Sequence, residues 1–127
     1  MKKKIINTPD APAPIGPYSQ AVQVDQMLFL SGQVAINPQT GNLETADIQT
    51  ETRQVMNNLK AVLQAAGMDF SQVVKTSIFL SDMTWFAAVN EAYGKYFSSD
   101  FPARETIAVK TLPKGVNVEI SMIAVLG

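Results

Sequence analysis

The side chain with the least ordinary placement is Arg104, in "FPARETIAV", residues 101–109. It stands two residues after a proline, where a β-branched, apolar run begins. Its planar fork of donors stays charged at any working pH and matches a carboxylate bidentately. Two partners are open: a glutamate of the same chain, the commoner arrangement, or the carboxylate of a ligand. Glu105 is a poor partner, because adjacent strand residues point to opposite faces. Glu119, in "VNVEISM", is the second candidate. It is either a solvated or paired strand glutamate, or a cleft carboxylate that positions a water, with burial and Arg104 setting its pKa. Tyr18, Ser31 and Thr106 offer hydroxyls. Each also has a plain reading, as packing, strand edge and β propensity respectively. Gly32, in "SGQ", permits a bulge or a close approach to a ligand. Asn90 interrupts an otherwise aromatic and aliphatic helix face.

The remaining composition narrows the chemistry. The chain has no histidine and no cysteine. Thiol nucleophiles, disulfides and Cys/His metal sites are therefore excluded, and so is the commonest general base. No aspartate-rich calcium-type loop occurs, so no metal is expected. The net charge of −1 gives little support to general nucleic-acid binding, which draws most of its affinity from phosphate neutralisation. The one basic cluster, "MKKK", reads as a solvated terminus. No run approaches the ~20 apolar residues a membrane span needs, and no apolar segment follows the first lysines. These features lead us to expect a cytoplasmic protein with no membrane or nucleic-acid partner.

The elements that must hold these residues can be read from periodicity. With 127 residues, one domain over 1–127 is expected. Residues 8–20, "TPDAPAPIGPYSQ", carry four of the seven prolines. They form either a loose arm or one packed along the body that carries Tyr18 into a cleft. Short strands are expected at Ala21–Val24 and Met27–Ser31, around the turn Asp25-Gln26. Ile48, Thr52, Val55, Leu59, Val62 and Ala66 step at helical spacing, with Asp47 as cap and Gly67 as stop. The opposite face of that helix, with Glu51, Arg53, Asn57 and Lys60, reads as polar scaffold. "VVKTSIFLSD" is a buried strand. A second helix begins near Asp82 or Thr84, with Phe86, Val89, Tyr93, Tyr96 and Phe97 as a core stripe. Strands at Arg104–Lys110 and Val116–Val125 close the chain, and Glu119 lies opposite the main apolar row of the last.

The order β-β-β-α-β-α-β-β implies an α+β fold, a mainly antiparallel sheet with two helices packed on one face. Both sheet faces are partly apolar and no third layer exists. Another subunit is the natural cover.

Taken together, "APAPIGPYSQAV", "FLSGQVAINPQTG", "NLKAVLQAAG", "VVKTSIFLSDMTWFAAVNEAYGKYF", "FPARETIAV" and "LPKGVNVEISMIAV" closely resemble the RidA family, also called YjgF or RutC. The likeness runs nearly end to end in the same order. It implies a chorismate-mutase-like fold, a homotrimer with clefts between subunits, and no cofactor or metal. The implied activity is hydrolytic deamination of 2-aminoacrylate-type enamines and their 2-imino acid tautomers to 2-keto acids and ammonia. Such substrates escape from pyridoxal-phosphate-dependent dehydratases. By motif, the resemblance implies that Arg104 binds the substrate carboxylate and Glu119 holds the attacking water. It also implies that Tyr18, Ser31, Gly32, Asn90 and Thr106 line the cleft, residue 106 through its backbone.

Many members read Arg-Ser-Cys-Val where this chain reads Arg104-Glu105-Thr106-Ile107. The change removes any thiol chemistry there and bears on substrate preference. Two rival readings remain. One is an endoribonuclease or translation inhibitor, labels some members carry. The other is a non-catalytic regulator that binds a small 2-keto acid.

Overall fold

The computed structural model of the chain describes residues 2–127. In chain order the elements are strands β1 (Lys3–Ile6), β2 (Ala21–Val24) and β3 (Met27–Gln33), helix α1 (Ile48–Ala65), strand β4 (Val73–Leu80), helix α2 (Phe86–Gly94), and strands β5 (Ala103–Ala108) and β6 (Val118–Val125). All six strands join one sheet in the order β1-β2-β3-β6-β4-β5. Every pairing is antiparallel except β4–β5, the two strands that flank α2 in sequence. A parallel pair needs a crossover, and α2 supplies it. Both helices lie on one face, as the α+β reading expects.

The helix α1 forms where its apolar stripe predicts. The Asp47 carboxylate accepts the Thr50 amide hydrogen at the N-terminus, and Gly67, at φ 75°, ends the helix in the left-handed region. Val55, Met56, Leu59, Val62 and Leu63 are fully buried against Leu28, Ile78, Val118 and Ile120 of the sheet. The second helix starts later than its sequence suggests. Asp82 does act as a cap, accepting from the Thr84 amide, but the turn it starts is a 3-10 turn, Met83–Trp85. The last two strands are shorter than their apolar runs. The first ends at Ala108 and the second begins at Val118, with a turn around Lys114 and Gly115, both at positive φ, between them.

Three sequence expectations are corrected. The "MKKK" cluster is not simply a solvated tail: Lys3–Ile6 form β1, an edge strand paired with β2 (Met1 lies outside the described residues). Lysines on an edge strand discourage pairing with other chains. The helix residue Glu51 does not belong to a polar outer face, because it is fully buried. Phe86 is not core. It is 38% exposed at the start of α2.

The sheet's other face stays open. Register places Ile5, Val22, Phe29 and Ile123 in a row across four strands of that face. Ile5, Met27, Phe29 and Ile107 are each 41–50% exposed. No helix among the described residues is long and apolar enough to cross a membrane.

The proline-rich arm packs along the body. Gln20 is only 2% exposed, and its side-chain amide donates to the carbonyls of Thr8, Ala11 and Pro12 while its oxygen accepts from the Thr8 amide. One side chain thus substitutes for a missing strand partner, which prolines cannot supply. Gln20→Ala is expected to lower stability by about 1–3 kcal/mol, because it orphans backbone groups that folding has buried. Chemical denaturation measures the loss. Limited proteolysis should show new cleavage within residues 8–18.

Candidate active site

Arg104 lies on the helix face of β5. It is in register with Thr76 of the parallel neighbour β4, and paired residues in register share a face. Thr76 is buried under α2, where its hydroxyl meets that of Tyr93 at 2.9 Å. The Arg104 guanidinium therefore points to α2. Its Nη1 donates to Asn90 Oδ1 at 2.7 Å, and its centre lies 5.3 Å from the Tyr93 ring and 5.8 Å from the Phe86 ring. Aromatic faces attract a cation without neutralising it. Among the described residues no carboxylate pairs with this arginine. The one salt bridge found there joins Lys75 to Glu105 at 3.0 Å.

An open cavity of about 510 Å³ borders Arg104, Asn90, Phe101 and Pro102. Thr106 follows Arg104 on the same face, and its Oγ1 is buried with no hydrogen-bond partner among the described residues. Glu105, between them, points to the opposite face. There it accepts from Ser77 and pairs with Lys75, and both bonds hold its carboxyl below the usual range. The unusual Glu105 is therefore turned away from Arg104.

Glu119 lies on the open face of β6, opposite Phe79 of β4. It borders a second cavity, of about 610 Å³, with Ile15, Tyr18, Ser31, Gly32 and Lys114. Burial alone pushes its carboxyl above the usual range. In the protomer Arg104 plays no part in that shift.

The close approach at Gly32 explains the motif "SGQ". The β3–β6 register slips between Leu30 and Gln33, so Ser31 and Gly32 form a bulge. A Cβ built on Gly32 would lie 2.9 Å from Glu119 Cδ and nearer still to Oε2. Ser31 donates its hydroxyl to the Ser19 carbonyl at 2.6 Å, and its amide to the Gln20 carbonyl. The bulge thus anchors the arm, and the arm sets Tyr18 at the cavity. Tyr18 is 52% exposed, and its hydroxyl accepts from the Ile15 amide.

The residues singled out in the sequence fall into two groups. Arg104, Asn90 and Thr106 meet on the helix face. Tyr18, Ser31, Gly32 and Glu119 meet on the open face. The single chain does not bring the groups together, since a six-stranded sheet separates them. Sequence reasoning missed Phe86 as a platform for Arg104, although its i, i+4 spacing from Asn90 puts both on one side of α2. It also missed Lys114, which gives no local signal. No cluster of His, Cys, Asp or Glu suited to a metal ion occurs among the described residues.

Two outcomes are expected of this geometry. Gly32→Ala should fold but displace the Glu119 carboxylate, visible as a changed side-chain position in a crystal structure of the variant. A raised carboxyl pKa means the folded chain holds its proton more tightly than the unfolded chain. Stability then falls as pH rises from the usual carboxylate range through the raised value. Glu119→Gln is therefore expected to be more stable than the parent near pH ~7 and to lose that advantage near pH ~3, below the ordinary glutamate value. Denaturation midpoints at the two pH values check the sign.

Known proteins share this arrangement of chain. A family model described as endoribonuclease L-PSP matches residues 8–126. A 2-iminobutanoate/2-iminopropanoate deaminase of Mus musculus is 50% identical over 125 residues, covering 98% of this chain and 93% of that protein. A solved structure of a putative endoribonuclease from Thermotoga maritima superposes with a TM-score of 0.96 at 46% identity, covering 100% of this chain and 99% of the other. A structure of E. coli TdcF with bound serine superposes at 0.94 with 41% identity, covering 98% and 99%. With the match spanning nearly every residue from the arm to the last strand, the chain belongs to the RidA/YjgF/RutC family.

Proposed function

We propose that the chain is a hydrolytic deaminase of small 2-imino acids and their enamine tautomers, built as a homo-oligomer in which each cleft joins two protomers. The observation that carries this reading is the guanidinium of Arg104, held by Asn90 and two rings beside open space, with no carboxylate of its own chain on it. A cation so placed suits a small planar acid. The relative with bound serine supports a ligand bearing a carboxylate beside a nitrogen-bearing carbon. The deaminase name of the mouse relative supports the reaction.

In this reading Arg104 grips the substrate carboxylate as a fork, and the unpartnered Thr106 hydroxyl and the backbone at 106 adjoin it. Glu119 of the partner subunit faces the imine carbon across the cleft. The partner subunit's Tyr18, Ser31 and Gly32 form the rest of that wall. An enamine substrate first takes a proton at carbon to become the iminium. Water then adds to the C=N carbon, losing a proton to the Glu119 carboxylate. That proton passes to nitrogen, the hydroxyl returns its own proton to the carboxylate as the C–N bond breaks, and ammonia leaves a 2-keto acid. The iminium carbon is already electrophilic, so the protein mainly orients two reactants. Burial brings Glu119 closer to neutral pH, where a group can both accept and return a proton.

The apolar row on the open face supports assembly. Ile5, Phe29 and Ile107 remain exposed in the single chain, and further copies are the covering that gains most from them. A trimer is the assembly proposed. The family description as an endoribonuclease prompts one rival test: RNA degradation by purified protein that disappears in Arg104→Ala would favour that activity.

Two results test the main reading. Added to a serine or threonine dehydratase reaction, the protein should speed release of keto acid and ammonia. Arg104→Ala should remove this while the protein stays folded, and Arg104→Lys should recover only part, because an ammonium lacks the fork. Arg104→Ala and Glu119→Ala should each be inactive alone. Reassembled together in equal amounts, they should regain activity at about one cleft in four, since protomers mix at random in a symmetric ring. No recovery from a mixture shown to have exchanged subunits would place the site within one chain.

A further inference from the structure

Glu51 is the one fully buried acid among the residues described, and neither the fold's apolar core nor the proposed chemistry uses it. It sits in the first turn of α1, yet its carboxylate reaches to the far side of the helix–sheet interface. Oε2 accepts the amide hydrogens of Asn117 at 2.7 Å and Val118 at 3.1 Å, and Oε1 accepts from Asn117 Nδ2 at 2.9 Å. No lysine or arginine bridges to it among the described residues. A buried carboxylate without a cation is costly unless its oxygens are filled by donors. Here two of the three donors come from consecutive backbone amides, and the next residue in the chain is Glu119.

The same point is tied from a third side. Ser81, just past β4, donates its amide to the Asn117 carbonyl at 3.0 Å and its hydroxyl to Asn117 Oδ1 at 3.1 Å. Helix α1, the end of β4 and the start of β6 therefore meet at Asn117. Upstream lies the irregular turn through Lys114 and Gly115, which has no ladder of its own. A strand that begins without a fixed first residue can slip, and a slip of one residue carries every side chain to the other face. For β6 that slip would turn Glu119 from the cleft into the helix layer.

We propose that Glu51 is a positioning residue: by holding the amides of Asn117 and Val118 it fixes the start of β6, and through that the place and direction of the Glu119 carboxylate. The kinetic consequence rests on the role given to Glu119 above. The structural consequence does not.

The geometry separates acceptor position from charge. In Glu51→Gln the amide oxygen can take both backbone hydrogens, as Oε2 alone does now. The new NH2 then faces Asn117, whose amide can turn over to present Oδ1, and Ser81 Oγ accepts from the turned Nδ2. Every buried group stays partnered. Glu51→Met keeps length and removes both acceptors, leaving two buried amides unpaired.

The test uses the whole chain in its assembled form, with two readouts. The first is the pH titration of the Glu119 carboxyl carbon by NMR, together with amide hydrogen exchange at 117–119. The second is kcat and KM in the dehydratase-coupled assay. In Glu51→Met, exchange at 117–119 should quicken and the Glu119 titration should move toward the ordinary carboxylate range. Its kcat should fall about tenfold to a hundredfold with KM within about threefold, as displacement of a reacting group costs turnover more than binding. Glu51→Gln should retain most of each parent value. A folded Glu51→Met with parental titration and kcat overturns the proposal, and so does a Glu51→Gln as impaired as Glu51→Met. Should Glu51→Met fail to fold, Asn117→Ala carries the test. It keeps both backbone bonds and loses the side-chain ones, so a smaller shift in the same direction supports the proposal and none overturns it. If the parent protein turns over no imine, the functional reading fails alone, and titration and exchange still decide the part played by Glu51.

Discussion

A β-strand sends successive side chains to opposite faces, and that alternation sets the terms for everything at the two cavities. Arg104 and Thr106 go to the helix side of β5, and Glu105 goes to the other. Glu119 leaves β6 on the same side as Glu105. Had the register of β5 differed by one residue, Arg104 would lie on the face of Lys75 and Ser77, and Glu105 would take its place under α2. Instead it rests between Asn90, Phe86 and Tyr93, where no carboxylate among the described residues pairs with it. The sheet thus keeps acid and base apart within one protomer. Among the described residues, neither has a partner of opposite charge.

The two charges are held by different means. Arg104 is steadied by a single hydrogen bond and two ring faces, contacts that leave its charge intact. Glu119 is held by shape. The bulge at Ser31–Gly32 brings β3 backbone against its carboxylate, and burial without a cation makes ionisation unfavourable. Such a group reduces the stability of the chain that carries it. The anchoring hydrogen bonds of Gln20, Ser31 and Glu51 surround the same region, and they offset that cost with backbone groups that would otherwise be unpaired.

Most of the fold was legible because helix α1 and strands β3, β4 and β6 obey simple periods. The register of β6 even placed Glu119 on the correct side of its own strand. Three things were not legible. The lysines of β1 form a strand only because β2 offers a partner, a long-range fact with no local trace. Glu51 looks solvated by helical spacing, and only the arrival of residues 117–118 above it makes burial tolerable. The separation of Arg104 from Glu119 follows from the registers of β5 and β6 on β4, which set Arg104 beside Thr76 and Glu119 beside Phe79, a pairing no single segment announces. Of the candidate site, residue identity could be read from motifs. Which residues share a wall could not, because that depends on the order of strands.

The contact between Gly32 and Glu119 limits how this protein can diversify. Any side chain at position 32 would have to push the acid aside, so this position cannot vary without moving Glu119. Apart from Ser31, the remaining borders lie outside the strands: the arm bearing Ile15 and Tyr18, the segment bearing Val34 and Ile36, and the turn bearing Pro113 and Lys114. Variation in the shape of this cavity is channelled into those three segments, and a library aimed at reshaping it belongs there rather than in the strands.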